Sequence, residues 1–476
     1  MALDPRSRFL NLTAMAFFAS AVAAIVLFFS PIQREAFFLM LGMAGTLFGM
    51  LVLSKAHVAF LKPVCRPKRR FRMSCMLVNA GTYLYSVVNG LLFITMPIYV
   101  NGLTHDLFLV GLVVSLPYLA IFVMSFVWGA VTDRIGTRKG VLMWCMLAMG
   151  ILFLPQPFVG TLGLITVRAI QVFFGSASVL GTALVTEYLP EGKGEAVGEF
   201  GMWGATGWLV GGAMSGIVYL YGNVMTLFFL CAIVSIVLAA VMFPIIEISK
   251  IKAEFSILSM FRFKRSKEIT LICFIIILVY MSNTIVFTLF PVYLKDLSLT
   301  EDLIGVLTAT GGLMGALLVL GVGRFIDRSG RKMMFIFAIG LYMMDWVVLV
   351  LTQNLIVVTI MWAIPIWAFI ITSGTAMVSD LTSTEERGRG TGAINSALNM
   401  GQFIGALLSG VAAWYMAPIL HLGPFRGAYL LAAFLLIPPL LIATRMTETL
   451  VLKKKGAGKD GKEMTVSKKS TQHGRA

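Results

Sequence analysis

Apolar positions run along this chain in blocks parted by short polar turns, and almost nowhere do they alternate with period two. A helix needs ~20 residues to cross ~30 Å of hydrocarbon, whereas barrel strands are ~10-residue alternating segments, so the blocks predict spanning helices. Fourteen result: Phe9–Ser30, Ala36–Phe60, Leu77–Val100, Phe108–Val131, Val141–Gly160, Leu162–Tyr188, Glu199–Tyr221, Val224–Ile246, Ile269–Leu294, Leu303–Val322, Met333–Leu351, Leu355–Asp380, Thr391–Met416 and Gly427–Thr444. The first two form an N-terminal hairpin within residues 1–61, because the opening run is too long for a signal peptide and no small-x-small cleavage site follows. Residues 62–76 read as a basic cytoplasmic linker set to lie on anionic lipid headgroups. Six core helices (77–246), a central cytoplasmic segment (247–268), six more core helices (269–447) and a basic, disordered cytoplasmic tail (448–476) complete the layout.

The core is internally duplicated. The turn between core helices two and three reads Gly129-Ala130-Val131-Thr132-Asp133-Arg134-Ile135-Gly136-Thr137-Arg138-Lys139. It recurs as Gly323-Arg324-Phe325-Ile326-Asp327-Arg328-Ser329-Gly330-Arg331-Lys332, with the aspartates 194 residues apart. Asn89, Pro97, Gly111, Gly207, Gly211 and Gly216 find Asn283, Pro291, Gly305, Gly401, Gly405 and Gly410 at the same offset. So many matches at one separation mean a repeat. Each repeat holds an even number of spans, so both enter from one side and are related by an axis along the membrane normal.

Composition changes the picture in one respect. With 58 % hydrophobic residues, 13 % charged residues and a mean hydropathy of +0.90, the chain is an integral membrane protein, yet it carries a net charge of +16. With both termini cytoplasmic, 33 of the 38 Lys and Arg fall on that side. The charge therefore sets orientation rather than nucleic-acid binding. Five cysteines without a Cys-x-x-Cys pair and four scattered histidines suggest neither a disulfide framework nor a metal site. No Walker loop is present, so drive by ATP from this chain is not expected.

Two parallel six-helix repeats, the first with a Gly-x-x-x-Asp-Arg-x-Gly-x-Arg-Lys loop after its second helix and the second with one that meets this pattern nearly as well, resemble the major facilitator superfamily over about residues 73–447. The resemblance implies an all-α membrane fold of twelve core helices, here with the leading hairpin added, that works by alternating access as a multi-pass protein of the cytoplasmic membrane. It also implies a gating role for Gly129, Asp133, Arg134, Gly136, Arg138 and Lys139 and for Gly323, Asp327, Arg328, Gly330 and Lys332. Asp133 would accept hydrogen bonds from amides at the start of core helix eleven, near Thr391, when the cytoplasmic side closes, and Asp327 from core helix five, near Gly198. Glu187, Asp380 and Arg387 stand at the same face, Asp380 and Arg387 at a spacing similar to one in sugar porters; the first repeat departs, with Lys193 and Gly194 there.

Leu164, Arg168 and Gln171 match the spacing of a fourth-helix motif linked in drug exporters with proton coupling, though Val172 replaces its glycine. Arg168 is deep in a span, where a charge costs at least ~2.5 kcal/mol unless it faces a partner or water. Gly207, Gly211 and Gly212 resemble the exporters' fifth-helix motif, with Trp208 in place of proline, and small residues so spaced also serve close packing. Asn79, Tyr83, Ser86 and Asn89 make a polar stripe on core helix one, joined by Tyr280 and Asn283 on core helix seven and by Trp362 and Trp367 on core helix ten. The reading is a monomeric, proton-gradient-driven exporter of a small amphipathic solute, without cofactor. The alternatives are uptake of a neutral metabolite such as a sugar or nucleoside, and a sensor or scaffold that keeps the fold. Asp345, on the usually peripheral core helix nine, is not expected to be the main proton site.

Overall fold

The computed structural model describes residues 71–188, 193–247, 267–308, 329–382, 387–420 and 422–449, with positions 43, 44, 46, 310, 311, 314, 325 and 326. Most of the predicted hairpin, basic linker, central segment and tail, and most of core helix eight with Gly323, Asp327 and Arg328, lie outside the described residues, as do the side chains of Asp133 and Arg387. All regular structure among the described residues is helical.

The first repeat contains α1 (Arg72–Thr104), α2 (Leu107–Ile135), α3 (Arg138–Ile151), α4 (Thr161–Gly175), α5 (Leu180–Glu187) and α6 (Lys193–Met242). The second contains α7 (Lys267–Asp296), a helical stretch at 301–308, α8 (Arg331–Leu351), α9 (Leu355–Ala363), α10 (Ile366–Leu381), α11 (Arg387–Leu420), α12 (Pro424–Phe434) and α13 (Ile437–Arg445). Among the described residues, ten stretches are long and apolar enough to cross a membrane. The expected fourteen are not reached among the described residues, since most of the hairpin and of core helix eight fall outside them and the stretch Glu199–Met242, counted once, holds core helices five and six on either side of the break at Asn223. Large apolar side chains such as Trp144, Leu162, Phe243, Leu351 and Trp414 are exposed, as a lipid-facing flank requires.

Where the helices break, the cause is local. Asn223 interrupts α6 at φ 73°, ψ 174°, and its Oδ1 accepts from the amides of Met225 (2.8 Å) and Thr226 (3.1 Å), capping the next helix. Core helix ten, expected as one span, is split by Pro365, which has no amide to continue the helical ladder. Core helix four is interrupted by a 3-10 turn over Ser176–Val179. There the Ser176 hydroxyl donates to the Phe173 carbonyl at 2.6 Å and accepts from Trp128 Nε1 at 2.9 Å, a side-chain competition that bends helices.

Glycines set the closest helix contacts. α1 packs along α6, and α7 along α11. A Cβ at Gly207 would run into the Tyr83 carbonyl oxygen and one at Gly211 into that of Val87, while Gly401 and Gly405 stand in the same relation to Ile277 and Met281. The 194-residue offset holds for all four pairs, so the repeats share one packing geometry. Gly212 differs, its Cβ direction being open, although its backbone amide faces Gly90.

Candidate functional site

The loops that follow α2 and precede α8 lie at one end of the bundle, called here the motif end. Gly136 (φ 80°) and Gly330 (φ 95°) stand in the left-handed region, which explains why the duplicated loop keeps glycine there. Gly129 has open space around it among the described residues and needs no glycine in this arrangement.

An ion-pair set recurs at this end. Arg138, at the start of α3, pairs with Glu187 at the end of α5, and Glu247 accepts from the backbone amides of Arg138 and Lys139, the latter at 3.2 Å. Arg331, at the start of α8, pairs with Asp380 near the end of α10, and Glu448 accepts from the amides of Arg331 (3.1 Å) and Lys332 (3.0 Å). Carboxylates thus satisfy the free amides at two positive helix ends. The register of the repeat matches Arg138 with Lys332, yet the pair is made by Arg331, one residue earlier. Lys332 instead donates to the Thr444 carbonyl at 2.7 Å. Arg331, Glu247 and Glu448 are the members of these sets that sequence reasoning did not single out. Asp380 takes Arg331 as its partner, Arg134 is exposed in the last turn of α2, and Lys139 lies 5.5 Å over the Phe243 ring.

The polar stripe on α1 divides. Asn79 Nδ2 donates to Glu199 Oε1 at 2.9 Å, and Ser86 lies against Gly204 and Gly207, so both face α6. Tyr83 turns its hydroxyl to the Thr46 carbonyl at 2.8 Å, inside the predicted hairpin, and sets its ring edge-on to Trp203. Asn89 departs because, at about 100° per residue, it lies about 120° around the helix from Tyr83. Tyr83→Phe is expected to lower thermal stability by ~1 kcal/mol, the worth of one hydrogen bond, while solute selectivity stays the same; a changed selectivity would place Tyr83 in the solute path.

Between the repeats runs a line of aromatic rings. Trp208 lies 5.2 Å from Phe93, Phe93 5.5 Å from Phe287, Phe287 4.6 Å from Trp362, and Trp362 is stacked on Phe290 at 3.8 Å. Trp362 Nε1 also donates to the Thr308 carbonyl at 3.2 Å. Phe93 and Phe287 are repeat equivalents, and that match was the signal for this contact. Nearer the end away from the motif loops, a Cβ at Gly111 would run against Ala406 and Ser409, one at Gly410 against Leu107 and Phe108, and one at Gly216 against Glu301. The repeats are therefore pressed together at that end.

Arg168 and Gln171 lie in α4, both buried, with Arg168 Nη1 donating to Gln171 Oε1. With Tyr85, Asn89, Pro117 and Met149 they line a cavity of ≈ 10 Å³, room for about one water. In the second repeat, the Tyr280 hydroxyl, Asn283 Nδ2 and Asp345 Oδ1 are buried with no hydrogen-bond partner among the described residues. No cluster of three or more His, Cys, Asp or Glu among the described residues could hold a metal ion.

The sequence profile of the Major Facilitator Superfamily matches residues 78–260 and 272–469. The quinolone resistance protein NorA of Staphylococcus aureus is 26 % identical over 175 residues, 36 % of this chain; the match spans 44 % of that relative, less than half its length. A protein of Methanocaldococcus jannaschii described as an uncharacterized MFS-type transporter is 25 % identical over 67 % of this chain and 85 % of its own. Among solved structures, the nucleoside transporter NupG superposes with a TM-score of 0.65 at 15 % identity, covering 78 % of this chain and 99 % of its own. A D-xylose-proton symporter gives 0.63 at 14 %, covering 79 % and 98 %. At these identities the likeness speaks for the fold alone.

Proposed function

The chain belongs to the major facilitator superfamily, and from that premise we propose that it moves a small amphipathic organic solute outward across the cytoplasmic membrane, driven by the proton gradient through alternating access. The observation that supports this reading is a seam between the repeats that, among the described residues, is tight at one end and open at the other. Gly111 and Gly129 are 18 residues apart on α2, and Gly392 and Gly410 are 18 apart on α11. That spacing is five whole helical turns, so each pair lies on one face, ~27 Å apart along the axis. Gly111 and Gly410 are jammed against the facing helix, while nothing among the described residues lies within 4 Å of the Cβ direction of Gly129 or Gly392. Such an arrangement suits a state open at the motif end, which the positive-inside distribution makes cytoplasmic. Closing that end would bring Gly129 toward Gly392 and Asp133 toward the start of α11, while the aromatic line and the glycine contacts at the other end part. The gating roles of Asp133, Asp327 and the two ion-pair sets belong to this proposal, as do fourteen spans, two cytoplasmic termini, contact with anionic lipid and a monomeric state.

Outward direction is supported by the Arg168–Gln171 and Gly207–Gly211–Gly212 patterns and by the likeness to NorA. The aromatic line offers flat apolar faces, which suit an amphipath better than a sugar phosphate. The test is mass spectrometry of solutes accumulated from a mixed pool by proteoliposomes, with and without an imposed proton gradient, beside Asp133→Asn vesicles. Accumulation that needs the gradient and is lost in the variant supports the proposal. Accumulation only in the opposite orientation assigns uptake of a metabolite, and none in either orientation assigns a sensor or scaffold.

A further inference from the structure

We propose that the cavity at Arg168 is a subsite for the carboxylate of the transported solute, an assignment that rests on the transporter reading above. Arg168 is 5 % exposed, and its Nε has no hydrogen-bond partner among the described residues. Its Nη1 donates to the neutral Gln171, and no carboxylate among the described residues pairs with it. Of the acids of this repeat whose side chains are described, Asp106, Glu187 and Glu247 stand at helix ends and Glu199 accepts from Asn79 near the start of α6; Glu187 is held by Arg138 and Glu247 by the start of α3. A guanidinium stays charged and presents a planar fork of donors that matches two carboxylate oxygens. Buried without an anion, it is an incomplete pair.

The cavity places that fork where a head group could meet it. Tyr85 and Asn89 line it from α1, Pro117 from α2, Met149 from α3, and Gln171 beside Arg168 from α4. Tyr85 and Asn89 are only half-buried, so the wall on the α1 side is not sealed. Room for about one water admits one oxygen of an anionic group and not a solute body, which is left to the space between the repeats. The Gln171 carbonyl holds one edge of the guanidinium and leaves Nε on another edge for the incoming oxygen.

The experiment is equilibrium binding of naphthoate, naphthamide and naphthylmethylammonium to the full chain in nanodiscs, with chloride as competitor. The wild-type protein is expected to bind naphthoate roughly ten- to hundredfold more tightly than the amide, the range of a charge-assisted pair. Arg168→Lys is expected to keep part of that preference, and Arg168→Met to bring naphthoate binding down to that of the amide. Equal or weaker binding of naphthoate by the wild type, or no naphthoate binding at all, overturns the proposal even where Arg168→Met does not fold. So does a preference that survives Arg168→Met, and so does competition by chloride as effective as by naphthoate, which would make the cavity an inorganic-anion site. Proteoliposome accumulation of naphthamide, which needs no anion subsite, separates the two readings. Amide accumulation without carboxylate preference removes the subsite alone, whereas carboxylate preference without accumulation of any probe removes the transporter reading.

Discussion

Valine at Gly216 is expected to leave the chain inserted in the membrane and to reduce solute accumulation by roughly five- to hundredfold. A Cβ at that position runs into the backbone carbonyl of Glu301, the first residue of the helical stretch at 301–308 and part of the other repeat, and no side-chain rotation relieves it. Overpacking of this kind costs ~1–3 kcal/mol. The cost falls on the state in which that end is closed, so the same energy shifts the ratio of the two states by the factor given. Proteoliposome transport, with labelling of a cysteine at Asn89 by an impermeant maleimide from each side, reads both effects. Full transport by Gly216→Val, or labelling unchanged on both sides, would show that the contact is not part of the cycle. Gly410, which meets Leu107 and Phe108, is the matching position on α11 and should respond in the same sense.

Asp380→Asn should be the most destabilising single change at the motif end. The Asp380 side chain is 1 % exposed and that of Arg331 10 %, so neutralising the acid strands a nearly buried guanidinium, at a cost of ~3–5 kcal/mol. Glu187→Gln, at side chains 25 % and 22 % exposed, should cost ~1 kcal/mol or less. Thermal unfolding of the purified variants checks the ranking. Replacing both members, Arg331→Met with Asp380→Leu, should recover most of the loss, since an apolar pair carries no unpaired charge. Equal losses from Asp380→Asn and Glu187→Gln would mean that burial does not distinguish the two pairs.

The span pattern and the duplication were legible because both depend on residue type alone. Apolar length predicts a crossing helix, and an offset of 194 predicts equivalent helices. The Gly207 and Gly211 contacts, with their partners Gly401 and Gly405, follow from that offset. What was not legible depends on direction. Asn79, Tyr83, Ser86 and Asn89 share a spacing, yet three successive steps of three or four residues drift around the helix, so Tyr83 reaches Thr46 while Asn89 lines the Arg168 cavity. Arg331 escaped notice because its loop is one residue shorter between the glycine and the basic pair. The separations Arg138 to Arg331 and Glu187 to Asp380 are both 193, one less than the offset of the helices. The break at Pro365 was marked by its proline, but apolar continuity on either side hid it.

Glu247 and Glu448 come at the close of each repeat, just past its last helix, and each reaches back to the start of that repeat's third core helix. Both halves are thereby laced shut by their own final acids. When they tilt against each other, tension passes through helix ends that are pinned within the same half.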